Sequence, residues 1–185
     1  MSEASQINER ELVLAFKTKA TRNDAFGHIL KTYQKRTYWH IRRIVIDHDD
    51  ADDVVQNTFI KVWENLGQFR GDAQLFTWIF RIATNEALLF LNKKNAGAKV
   101  SLDDVDYDLI NTLYSSPYFN GDRAEQKLQT AILQLPEKQR LVFNMKYYQG
   151  LKYEEMEAIL GTSVGALKAS YHHAVKKIED FLNKD

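Results

Sequence analysis

Residues Lys152 to Lys177 read KYEEMEAILGTSVGALKASYHHAVKK. A short amphipathic helix, a glycine turn and a second helix with a lysine-bearing face follow one another here without interruption, the outline of a helix-turn-helix. Gly161 supplies the backbone freedom to leave the first helix, and the Ser163 hydroxyl is placed to cap the second. Val164, Leu167, Tyr171, Ala174 and Ile178 recur at steps of three and four, which predicts one inward stripe. Gly165, Lys168, Ala169, His172 and Lys176 are left facing out. A helix that is small near its start and cationic further along fits the major groove, with lysines meeting phosphates. The same pattern also fits a helical hairpin with solvated lysines.

The rest of the chain agrees with an all-α protein. Among 185 residues there are only two prolines, Pro117 and Pro136, few glycines and little strict alternation. With no cysteine, disulfides, thiolate metal sites and thiol redox chemistry are excluded. The polar N-terminus has no apolar signal core, and no purely apolar run exceeds the length of Ala87 to Leu91, which is too short to span a bilayer. A soluble cytoplasmic protein without membrane insertion is expected.

Net charge is zero, but unevenly spread: residues 1–99 balance to +3, 100–126 to −5 and 127–185 to +2. The acidic stretch holds Asp103, Asp104, Asp106 and Asp108, then Ser115, Ser116 and Pro117, without helical period. It reads as a linker between two small helical domains. The expected division is 1–98, a flexible acidic linker 99–123, and 124–185.

Four N-terminal helices are predicted, near Glu9–Ala20, Asp24–Ile46, Asp50–Leu66 and Gln74–Asn95. Along the third, Val55, Phe59, Val62 and Leu66 form a core stripe. A quarter turn away, Asp52, Gln56, Ile60 and Trp63 form a mixed face that suits a protein partner, although a neighbouring helix burying Ile60 and Trp63 fits the pattern equally. The following segment joins Phe69, Arg70 and Gly71 to Trp78, Arg81 and Asn85, with Lys93 and Lys94 beyond. Flat rings, an amide and cations are what unpaired bases and their backbone require. Aromatic clusters of this kind also build cores.

Two strings together resemble the sigma-70 family in its minimal two-domain branch, the extracytoplasmic function (ECF) sigma factors. DADDVVQNTFIKVWENLGQFRGDAQLFTWIFRIATN at Asp50 to Asn85 resembles region 2, and LPEKQRLVFNMKYYQGLKYEEMEAILGTSVGALKASYHHAVKKI at Leu135 to Ile178 resembles region 4. The resemblance implies an initiation factor that binds core RNA polymerase, directs it to promoters and assists their melting, with no cofactor or metal. It implies that Asp52, Asp53, Gln56, Asn57, Ile60 and Trp63 meet the β′ clamp coiled coil, and that region 4 meets the β flap. Phe69, Arg70, Gly71, Asp72, Ala73, Trp78, Arg81, Asn85, Lys93 and Lys94 would surround the -10 element, where a flipped base is held. Ser163, Gly165, Lys168, Ala169, Ser170, His172, His173 and Lys176 would read the -35 element. An anti-sigma factor is a further implied partner.

The chain departs from the family pattern at Lys152, where a capping serine is common, at Ser170 and His173, often arginines, and at Leu89 and Asn92, often acidic and basic. A weaker phosphate grip by the C-terminal domain is expected. A stand-alone helix-turn-helix regulator explains the C-terminal half but leaves the N-terminal string without a role. An enzyme finds no support: HExxH, P-loop and GxGxxG patterns are absent, and adjacent His172 and His173 point about 100° apart on a helix. His28 and His40 are expected at surface or partly buried positions.

Overall fold

The computed structural model describes residues 9–96 and 123–183. Among them there are helices and no strand: α1 (Glu9–Lys17), α2 (Arg22–Val45), α3 (His48–Asn65), a short 3-10 turn (Leu66–Gln68), α4 (Leu75–Ala96), α5 (Arg123–Leu133), α6 (Glu137–Tyr147), α7 (Tyr153–Leu160) and α8 (Val164–Leu182). The four predicted N-terminal helices lie within a few residues of their expected bounds. The acidic linker expected at 99–123 falls outside the described residues, apart from Arg123, which opens α5.

Helix α3 begins two residues earlier than its aspartates suggest, because the cap is Asp47, whose carboxylate accepts the Asp50 N–H at 3.0 Å. Immediately before it Ile46 takes φ 69°, a left-handed conformation that is costly for a β-branched residue. Burial of its side chain, 5% exposed, offsets that cost and fixes the sharp turn between α2 and α3.

Helices α1 to α4 close on Leu12, Phe16, Ile29, Ile41, Val54, Val62, Leu66, Leu75 and Ile79, with the α3 stripe inside as predicted. Behind this core lies a polar buried residue the sequence did not place there. His40 is 2% exposed, stacked at 4.6 Å on Phe80, with Nε2 2.8 Å from Thr84 Oγ1. Thr84 gives its own proton to the Phe80 carbonyl, so His40 Nε2 must carry the hydrogen of this contact. Burial first, then the charges of Arg43 and Arg36, pushes the imidazole down to about 3. His40 is therefore a neutral core group, which corrects the expectation of a surface or partly buried role.

The C-terminal helices hold a second cluster of Ala131, Ile132, Leu135, Phe143, Ala174 and Ile178. A third joins the two halves: Phe76 and Phe80 of α4 pack with Val142, Met145, Met156 and Leu167. Arg36 of α2 lies 3.9 Å over the Phe76 ring and donates through Nη2 to the Gln149 carbonyl at 2.9 Å. Arg43 sits 4.3 Å over Tyr148, and Asn144 Nδ2 reaches the Arg43 carbonyl at 3.4 Å. These contacts dock α6 and α7 against the N-terminal bundle through apolar area and two guanidinium groups held over aromatic rings.

Candidate functional site

The loop from Phe69 to Gln74 is the hinge of the N-terminal site. Gly71 adopts φ 81°, where a side chain is strained, and lets the loop reverse. Helix α4 then starts under control of a distant residue. Glu9 Oε2 accepts the Leu75 N–H at 2.9 Å, while its Oε1 accepts the Tyr33 hydroxyl at 2.7 Å. The loop and the start of α4 are thereby tied to α1 and α2. Burial together with Glu9 raises the Tyr33 phenol well above its ordinary range, so it stays a hydrogen-bond donor.

Between α3 and α4 this arrangement leaves an open cavity of about 650 Å³, within the roughly 300–1,000 Å³ of small-molecule clefts. Phe69 and Trp78 stand on one side, ring centroids 5.3 Å apart and tilted by 52°. Arg70, Asp72 and Ala73 of the loop and Arg81 and Asn85 of α4 also line it. Arg70 Nε is 3.3 Å from Asp72 Oδ2, both groups largely exposed, a pair of little energetic weight that a phosphate can displace.

Of the expected -10 residues, seven therefore share one cavity: Phe69, Arg70, Asp72, Ala73, Trp78, Arg81 and Asn85. Gly71 shapes the loop without lining it. Lys93 and Lys94 lie exposed at the end of α4, and Lys94 Nζ holds Asp50 Oδ2 at 2.6 Å. The cavity also takes residues that are not among the expected -10 contacts, Leu89 figuring in the sequence only as a departure from the family pattern. Lys61, Asn65 and Gln68 come from α3 and the 3-10 turn, and Ile82, Glu86 and Leu89 from α4. No spacing rule unites them, because the two helices meet only in three dimensions.

Along the outer side of α3, Asp52, Asp53, Gln56, Asn57, Ile60 and Trp63 are all exposed. Ile60 is 56% exposed, large for an unpartnered isoleucine. Trp63 is different: its ring meets Phe16 and Phe26 edge-on at 5.1 and 4.9 Å. The tryptophan is thus anchored by α1 and α2 while its outer part remains at the surface. Asp52 Oδ2 is 3.7 Å from His48 Nε2, and His48 Nδ1 is 2.7 Å from the Tyr38 hydroxyl.

In the C-terminal half the helix-turn-helix is built as the opening stretch predicts. Gly161 takes φ 65°, the left-handed conformation that ends α7. Ser163 Oγ accepts the Ala166 N–H at 3.4 Å, and Glu157 Oε1 accepts that of Val164 at 3.3 Å. Lys152 offers no acceptor at the start of α7, and Glu155 Oε2 takes the Lys152 N–H at 2.7 Å, half of a capping box. On α8, Leu167, Ala174 and Ile178 are buried, with Val164 and Tyr171 half-buried.

Gly165, Lys168, Ala169, His172, His173 and Lys176 are exposed along the opposite side, with Ser163 at its start and Ser170 half-buried at its edge. A side chain at Gly165 would meet nothing within 4 Å. Lys168 Nζ lies 5.7 Å over the Tyr153 ring, turned toward α7. The face is convex and lightly cationic, where the α3–α4 site is concave and walled.

Two family profiles match the chain, Sigma-70 region 2 over residues 29–96 and Sigma-70, region 4 over residues 125–178. The chain is 30% identical over 166 residues to the RNA polymerase sigma-H factor of Pseudomonas aeruginosa, covering 85% of this chain and 86% of that protein. It is also 30% identical to the ECF RNA polymerase sigma-E factor of Escherichia coli K12, covering 84% and 85%. Among solved structures, CnrH in complex with the cytosolic domain of CnrY aligns with a TM-score of 0.69 at 22% identity, covering 96% of this chain and 98% of that one. RpoE of Bartonella quintana, in complex with the anti-sigma factor NepR, aligns with a TM-score of 0.67 at 22% identity, covering 86% and 98%. These two likenesses concern the fold.

Proposed function

The chain belongs to the sigma-70 family, in its ECF branch of RNA polymerase sigma factors, and from that premise we propose a division of labour for its surfaces. The chain binds core RNA polymerase, directs it to specific promoters and assists their melting. The exposed side of α3, from Asp52 to Trp63, meets the β′ clamp coiled coil, and the C-terminal helices meet the β flap. The α3–α4 cavity receives the unpaired -10 strand, and the outer face of α8 reads the -35 duplex.

One observation carries the reading. Phe69, Trp78, Arg70, Arg81 and Asn85, drawn from a loop and a helix, converge on one cavity. Extruding a base costs a few kcal/mol of stacking and pairing. Stacking on an aromatic ring returns about 1–3 kcal/mol per base, and an adjacent amide can pair with its edge. A stand-alone helix-turn-helix regulator has no use for such a cavity.

The modest α8 face agrees with this division, because core polymerase supplies affinity that the helix lacks. The chain performs no covalent chemistry in this reading and acts in the cytoplasm, where polymerase is. No described helix is long and apolar enough to cross a membrane. An anti-sigma factor is proposed as a further partner, supported by the NepR and CnrY complexes of the structural relatives. Run-off transcription with core enzyme is the test. The chain should start transcripts from a specific promoter that core alone ignores, and should bind that promoter poorly without core. Tight sequence-specific binding in the absence of core would instead favour the regulator.

A further inference from the structure

One wall of the cavity is supplied neither by the aromatic pair nor by the loop. Lys61 of α3 and Glu86 of α4 line it, and Lys61 Nζ donates to Glu86 Oε1 at 2.5 Å. The Glu86 side chain is 15% exposed, against 46% for Lys61. Among the described residues no hydrogen bond reaches its second oxygen, Oε2, and that oxygen is not sealed from solvent. A mostly buried carboxylate at a site for a polyanion repels its own ligand unless it is neutralised. Lys61 neutralises it, and the free oxygen is left as an acceptor at the cavity wall.

Acceptors distinguish bases. Adenine and cytosine carry an exocyclic amine at the end of the pairing edge, and guanine carries one beside a ring N–H. Thymine has only its ring N3–H, flanked by two carbonyl oxygens that a carboxylate repels. Glutamate accepting from an amine such as cytosine N4 is an established mode of base readout.

We propose that Glu86, with its charge balanced by Lys61, is a specificity-determining residue of the cavity, accepting from the exocyclic amine of one unpaired base and disfavouring thymine there. The proposal rests on the -10 reading above and narrows that site to a base that carries an exocyclic amine. Asn65 Nδ2, one turn further along α3, donates to the Lys61 carbonyl at 2.8 Å. This bond fastens the backbone that carries the lysine.

The experiment uses holoenzyme reconstituted from core polymerase and the full chain. Each unpaired position of the -10 non-template strand is made A, C, G or T in turn, and promoter opening is read by permanganate and run-off yield. The wild-type chain should disfavour thymine at one position by roughly tenfold. E86A should flatten that preference, read as the ratio of opening among the four templates at that position. E86Q keeps the size of the side chain and can donate to thymine O4, so it should admit thymine; it serves as the informative variant where E86A does not fold.

An equal loss on all four templates would assign the ion pair to tethering α3 and α4, and would overturn the proposal. So would an active wild-type chain with no thymine penalty at any position, or variants with the wild-type ranking of bases. A wild-type chain that starts no transcript at all overturns the functional reading instead, and the base preference falls with it.

Discussion

The α3–α4 cavity and the outer face of α8 are both proposed to read DNA, yet they are built in opposite ways. The cavity depends on a core: Trp78 and Asn85 are aimed by a helix whose inner face, Leu75, Ile79, Ala83 and Ala87, is fully buried. The α8 residues stand on a convex surface and need only the helix beneath them. A concave site can enclose one extruded base, because burial replaces the stacking the duplex loses. A convex helix enters a groove that is already formed, and its energy comes from contacts at exposed positions. The comparison teaches that core damage and surface damage should separate the two activities.

The largest expected effect comes from the core side. Ile79→Ala removes a fully buried side chain behind the cavity and should cost about 2–5 kcal/mol in a denaturant titration. Promoter opening should fall with it, whereas Lys168→Ala should leave stability within about 0.5 kcal/mol. Comparable destabilisation by both would break the contrast.

Next in size is a pH effect from His40. Its folded value, about 3, lies below the ordinary value of 6.5, so the unfolded chain binds more protons between those limits and stability rises with pH across that window. Full stability is present above about pH 7 and is lost as pH falls toward 3, by an order of a few kcal/mol. His40→Gln, melted at pH 7 and pH 5, should show a smaller pH difference than wild type. An unchanged difference would remove His40 as the cause.

Trp78→Ala should lower promoter opening by the worth of one stacked base, about 1–3 kcal/mol. Permanganate reactivity of unpaired thymines should drop, while co-purification with core enzyme stays intact. Lys168→Ala should instead weaken duplex binding on every sequence and reduce the slope of log K against log salt by about 1. A loss confined to single-stranded templates would reverse the assignment of the two sites. The smallest effect concerns the support of the helix-turn-helix: Lys152→Ser restores a capping hydroxyl and should stabilise the chain by about 1 kcal/mol, read as a rise in Tm.

Much of the fold is legible in the residues themselves. The stripes of α3 and α8 follow from period alone, and Gly161 and Ser163 mark the turn through a left-handed φ and a cap. Local chemistry decides such features, so a local reading recovers them. Trp63 is less decided: its spacing fits both a core and a surface residue, and it proves to be anchored on Phe16 and Phe26 with its outer part exposed.

His40 shows the limit more sharply. Nothing near it in sequence distinguishes a core histidine from a surface one; its burial comes from Phe80 and Thr84, forty or more positions along. The same holds for the start of α4. Leu75 has no local cap to predict, because the acceptor of its N–H is Glu9, 66 residues away. For the cavity, the Phe69 to Asn85 segment announces rings, amides and cations, but the wall made by Lys61 and Glu86 belongs to two helices and leaves no motif.

The sequence by itself determined an all-helical chain, a helix-turn-helix near its end and a segment rich in aromatic rings, amides and cations, because periodicity, capping and residue type act over a few neighbouring positions. Only the tertiary structure decided which of those side chains share a cavity, which charge neutralises which, and how α6 and α7 dock on the N-terminal bundle. Those outcomes depend on contacts between residues distant in the chain, whose free energies are gained only when the helices pack.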